Sequence, residues 1–229
     1  MITEHRFTDA TAAAVDLAGR IAALLNTAVA ARGIASLALS GGRSPRAMLE
    51  TLGAMPVDWS RIIMTLVDER WVDPSDPASN ERLVRDTLLN GPASTARFIG
   101  MKNDAASAHA GQPACERAFA TLPWPIDIIV LGMGEDGHTA SLFPGAKELA
   151  HGLSGHARTV AVTPPDAPHG RLSMTAAAIL SSRQIMVQIS GGTKAAVYRR
   201  ALSDGPVEEL PIRLALRQDS VPVDIWITA

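Results

Sequence analysis

Short apolar runs alternate along the chain with longer stretches whose apolar positions recur at helical spacing. Residues 9–32 carry Val15, Ile21, Leu24, Leu25 and Val29 on an Ala-rich background and predict a helix, with Gly33 as its stop. Residues 36–40 then read as a buried strand, Gly41-Gly42 as a break, and Ser44-Pro45 as the cap and first turn of a helix. The pattern repeats. Strands are predicted at 62–67, 97–99, 126–131, 159–163, 171–175, 184–189 and 223–227. Helices are predicted from about 79 to 89, over 104–122 with an interruption at Pro113, over 176–180, and after Gly191-Gly192 as far as Leu202. The segment 68–74 reads as a loop. Strands alternating with helices predict an α/β fold with a mostly parallel sheet, and the whole chain, 1–229, reads as one such domain.

Composition narrows the classes of function. A formal net charge of −2 gives no overall cationic field for nucleic acid or an anionic membrane. The lone Cys115 cannot form an intramolecular disulfide and reads as a packing residue. No apolar run approaches the roughly 18 residues of a membrane span, and the N-terminus lacks the apolar core of a signal peptide. The expectation is a cytoplasmic protein, a monomer or small homo-oligomer.

In sheets of this kind ligands bind at the carboxyl ends of the strands. Four segments with chemical character directly follow predicted strands. The first is Ser40-Gly41-Gly42-Arg43-Ser44-Pro45, whose exposed N–H groups and following helix suit a phosphate. The second, Ser190-Gly191-Gly192-Thr193-Lys194, has nearly the same form and adds a compact cation. Two unrelated turns is the plainer reading of that pair. The third is Asp68-Glu69-Arg70, which also fits a solvated loop with a surface ion pair.

The fourth segment runs from Gly132 to Pro144, Gly-Met-Gly-Glu-Asp-Gly-His-Thr-Ala-Ser-Leu-Phe-Pro. Its start satisfies Gly-x-Gly-x-x-Gly, but Glu135 and Asp136 are badly placed against a pyrophosphate, and no acid follows a strand at the expected ribose position. The glycines instead let Asp136 and His138 approach a ligand. Histidine exchanges protons near neutral pH, and His138 alone of the six histidines has such a setting. The other five read as surface residues. No spacing of His or Cys suits a metal.

These segments together resemble the 6-phosphogluconolactonases of the glucosamine-6-phosphate isomerase/6-phosphogluconolactonase family. The likeness extends to Arg171-Leu-Ser-Met-Thr and the final strand. It implies a Rossmann-like sheet flanked by helices, as in glucosamine-6-phosphate deaminases and ribose-5-phosphate isomerases. It also implies cofactor-free hydrolysis of 6-phospho-D-glucono-1,5-lactone in the oxidative pentose phosphate pathway. His138 is then the general base, Asp68, Arg70 and Asp136 assist it, and Gly41, Gly42, Arg43, Ser44, Arg171 and Lys194 hold the phosphate. The related deaminases carry a further carboxylate after the histidine, where this chain has Ser141-Leu142-Phe143-Pro144. Two alternatives stay open: a deaminase-like isomerase, and a sugar-phosphate-binding module without catalysis.

Overall fold

A computed structural model describes residues 2–42 and 44–228. Seven strands form one parallel sheet: β1 (Ile2–Phe7), β2 (Ala35–Leu39), β3 (Ile62–Leu66), β5 (Arg97–Ile99), β6 (Ile128–Gly132), β9 (Ile185–Ser190) and β10 (Val223–Thr228). Their order is β1-β10-β9-β6-β2-β3-β5. The chain builds outward from β2 through β3 to β5, returns to place β6 beside β2, and continues outward through β9 and β10. The direction of winding therefore reverses between β2 and β6, which opens a crevice at their carboxyl ends. Every residue of β2 and of β10 is buried, so the apolar runs in the sequence report strands covered on both faces.

Two strands lie outside the reading from sequence. β1 is a polar edge strand, Ile-Thr-Glu-His-Arg-Phe, paired only with β10. Its His5 is not a plain surface residue: the ring stacks on Trp226 at 4.5 Å between centroids. Residues expected to form a loop instead make β4 (Asp68–Arg70), which pairs antiparallel with β8 (Arg171–Met174), itself paired with β7 (Thr159–Val162). This second sheet has three strands, order β4-β8-β7. A hydrogen bond from Met174 N–H to the Val67 carbonyl joins it to the end of β3.

The helix α1 (Ala10–Arg32) is capped by the Asp9 carboxylate and closed by left-handed Gly33. Its 18-residue window of mean hydropathy 1.4 does reach the length and apolarity of a membrane span, contrary to the expectation from sequence. The cause is its alanine content. Ala14, Leu17, Ala18, Ile21 and Leu25 repeat at helical spacing and are buried in the core. Helix α2 (Arg46–Gly53) starts one turn position later than expected, and neither Ser44 nor Pro45 caps it with a side chain. Helix α3 (Asn80–Thr87) follows Ser79, whose hydroxyl accepts from Arg82 N–H at 3.1 Å. Helix α4 (Ala108–Phe119) continues through Pro113 and buries Cys115. Burial, with neighbouring Glu116 adding to it, pushes that thiol up to about 12, so its packing role stands. Four further helices follow among the described residues: α5 (Leu149–Ser154), α6 (Ala176–Leu180), α7 (Gly192–Leu202) and α8 (Arg213–Leu216).

Candidate active site

The four segments singled out above follow β2, β3, β6 and β9, which are neighbours in the sheet. A cavity of about 180 Å³ lies where they meet. Gly41, Gly42 and Ser44 line it from the first turn, Asp68 and Arg70 from β4, His138 from the fourth segment, and Lys194 from the start of α7. Arg43 falls outside the described residues. Among the described residues Lys194 has no hydrogen-bond or ion-pair partner, so its charge is free for an anion. The first Ser-Gly-Gly turn thus lines this cavity, and the second segment reaches it through Lys194, while Ser190, Gly191 and Gly192 are not among the lining residues.

Two lining residues were not picked out from sequence. Gln188 of β9 donates from Nε2 to the Ser44 carbonyl at 3.2 Å and so ties the first turn to the strand that carries the second. Asn80 donates from Nδ2 to the Asp68 carbonyl at 2.9 Å. A Cβ at Gly41 would sit 1.8 Å from Asn80 Oδ1, so glycine is needed there for close approach. The only hint of Asn80 in the sequence is a polar residue just inside a helix start.

Strand alternation divides the acidic segment after β3. Asp68 and Arg70 face the cavity, while Glu69 turns away from it. Glu69 is 1% exposed and accepts four hydrogen bonds. Oε1 takes Arg70 N–H at 2.7 Å and Asn80 N–H at 2.8 Å; Oε2 takes Glu81 N–H at 2.8 Å and the Ser79 hydroxyl at 3.0 Å. It thereby caps α3 and closes the loop 71–78. Burial raises its pKa, and these bonds only partly oppose that. Asp68 is 8% exposed and belongs to no ion pair among the described residues. Arg70 directs Nη1 to the Ala78 carbonyl at 2.6 Å instead.

Arg171 stands opposite Arg70 in the β4–β8 register and is 6% exposed. It is not among the residues that line the cavity, and its Nε and Nη1 are unpartnered among the described residues. Burial lowers its pKa, with Arg70 adding to the effect and Asp68 and Glu69 opposing it.

His138 is held by its own loop. Nδ1 lies 2.6 Å from Asp136 Oδ1, and His138 N–H donates to the same oxygen at 3.1 Å. A Cβ at Gly134 would fall 2.2 Å from His138 Nδ1, so this pair needs glycine there. Burial opposes the Asp136 charge, but the bonds from His138 and its electrostatic pull outweigh it and hold the carboxyl below the usual range. An ionised carboxylate only accepts, so the neutral imidazole that fits this contact is the one that donates from Nδ1 and carries its lone pair on Nε2. Phe143 packs its ring against the imidazole at 4.4 Å between centroids. Asp136 itself lines an adjoining cavity with Glu135, Phe143 and Pro165, and His138 forms the wall between the two. Among the described residues no group of His, Cys, Asp or Glu is arranged to hold a metal ion.

Residues 8–224 match the model of a family described as glucosamine-6-phosphate isomerases/6-phosphogluconolactonase. A 6-phosphogluconolactonase of Pseudomonas putida is 42% identical over 97% of this chain and 91% of that protein. One from Rhizobium meliloti is 39% identical over 97% of each. The crystal structure of a 6-phosphogluconolactonase from Shewanella baltica superimposes with a TM-score of 0.98 at 44% identity, covering 100% of this chain and 98% of that one. A monomeric glucosamine-6-phosphate deaminase shares the fold at a TM-score of 0.82 and 22% identity, over 98% of this chain and 97% of that one.

Proposed function

The chain belongs to the glucosamine-6-phosphate isomerase/6-phosphogluconolactonase family, and from that membership we propose how its site works. It hydrolyses 6-phospho-D-glucono-1,5-lactone to 6-phospho-D-gluconate in the pentose phosphate pathway. The 6-phosphate is taken by the backbone N–H groups at Gly41 and Gly42, by Arg43 and Ser44, and by the free ammonium of Lys194. Arg171, opposite Arg70 in the β4–β8 register, adds a buried guanidinium whose Nε and Nη1 are unpartnered among the described residues. This anchor fixes C1 at the other end of the sugar, near His138.

His138 Nε2 then takes a proton from water as the oxygen attacks the C1 carbonyl. Asp136 keeps the imidazole in the required tautomer and stabilises the imidazolium that forms. Charge on the carbonyl oxygen meets Arg70 or an N–H of the first turn. When the C1–ring oxygen bond breaks, protonated His138 returns the proton to the departing oxygen. Asp68 orients Arg70, the water or a sugar hydroxyl. The whole chain is read as one catalytic domain, because the site draws on loops from Gly41 to Lys194, and the activity of its relatives supports grouping it with the cytoplasmic enzymes of sugar-phosphate metabolism.

The observation that carries this reading is that the first Ser-Gly-Gly turn, Lys194 and the Asp136-paired His138 meet at one cavity. Phe143 against His138 supports hydrolysis over deamination, since no carboxylate follows the histidine. Two parallel assays test it. Fresh 6-phosphogluconolactone should release acid faster than its uncatalysed rate, and glucosamine 6-phosphate should release no ammonia. Ammonia without acid would overturn the assignment to a lactonase.

A further inference from the structure

Asp68 is held from a direction that its own segment does not supply. The Ser141 hydroxyl donates to Asp68 Oδ2 at 2.6 Å, across 73 residues of sequence. That length is in the range of a hydroxyl-to-carboxylate bond, which is stronger than a neutral one. Ser141 is fully buried and is itself fixed, because its N–H donates to the Ser173 hydroxyl at 3.1 Å. Ser173 gives its only proton to the Met174 carbonyl at 2.9 Å, so it meets Ser141 as an acceptor. Ser173 is also the residue opposite Asp68 in the β4–β8 register. Ser141 thus joins β4, β8 and the His138 loop at one point.

The backbone is bent to bring it there. Ala140, between His138 and Ser141, has φ of 49°, a left-handed value that non-glycine residues seldom adopt. Leu142 N–H closes the turn on the Thr139 carbonyl at 3.0 Å. With Oδ2 engaged, Asp68 keeps Oδ1, which among the described residues takes only a long bond from Asn80 Nδ2 at 3.4 Å, as the edge open to a molecule in the cavity.

We propose that Ser141 is a positioning residue for the hydrolysis, fixing Asp68 so that Oδ1 faces the substrate at a set distance from His138. The inference rests on the functional reading above, in which Asp68 works on the bound lactone. Its test is a kinetic cycle of Ser141→Ala, Asp68→Asn and the double variant, with thermal melts to confirm folding. Ser141→Ala should lower kcat about ten-fold, the scale of a hydrogen bond to a charged group, while KM stays within about two-fold. The double variant should be no slower than Asp68→Asn alone, because both changes remove one interaction. Ser141→Cys keeps a weak donor of similar size and should fall between wild type and Ala; it serves as the single variant if Ala does not fold. Wild-type kcat in Ser141→Ala, or losses that multiply in full, would overturn the inference. His138→Ala assayed alongside separates the failures. If it stays active the functional reading falls; if it is inactive while Ser141→Ala is unimpaired, only the role of Ser141 falls.

Discussion

Asp136 is half exposed and gives one oxygen to one neighbour, His138, whereas Glu69 is 1% exposed and gives both oxygens to four donors. Both carboxylates follow a strand of the same sheet, and both stand beside a residue of the cavity wall. Asp136 leaves its partner free to face the cavity and to change its protonation. Glu69 holds α3 and the loop 71–78, and its surroundings oppose ionisation. Here the carboxylate beside the proposed base is left accessible and lightly bound, while the one that holds the scaffold is buried and fully bonded.

Substitution can break this comparison. Glu69→Gln presents an NH₂ group to two of the four donors and leaves them unpaired. The expected loss is about 2–4 kcal/mol, moderated because the variant also removes a buried charge. Thermal melts should show it, and residual folded enzyme should retain near-normal kcat. Asp136→Asn should do the reverse. Its melt should be nearly unchanged, and kcat should fall by about 10²-fold, the lower end of general acid–base contributions. A destabilised but active Asp136→Asn would erase the distinction.

Lys194→Ala tests the anchor instead of the chemistry. KM should rise about 10-fold, with kcat changed less, and the variant should lose its preference for phosphorylated over unphosphorylated lactone. The smallest effect lies in the pH dependence of stability, where the two carboxylates act in opposite directions. The contribution of Asp136 is present above the ordinary value near 3.8 and is lost as pH falls through its lowered folded value. The contribution of Glu69 is present below 4.5 and is lost as pH rises through its raised folded value. Melts from acid to neutral pH should therefore flatten on the acid side in Asp136→Asn and on the neutral side in Glu69→Gln.

The strands at the centre of the sheet were legible because burial on both faces leaves no polar side chain to interrupt β6 and few to interrupt β2 or β9. β1 was not, since an edge strand needs no apolar pattern and its Thr3, Glu4 and Arg6 look like a terminus. β4 was not, since three charged residues become a strand only through pairing with β8, a hundred residues on. The same limit applies to the site. Gly41, Asp68, His138 and Lys194 could be picked out because each follows a readable strand. Asn80, Gln188 and Ser141 act through hydrogen bonds to residues far away in sequence, and nothing local marks them.

The central claim is that His138 is the base, poised by Asp136 on a cavity that anchors a sugar phosphate. The most direct measurement is kcat of His138→Ala on fresh 6-phosphogluconolactone, with the uncatalysed rate subtracted and folding confirmed by melt. The account predicts a fall of about 10²–10⁴-fold with KM little changed. A folded His138→Ala enzyme with wild-type kcat would contradict it.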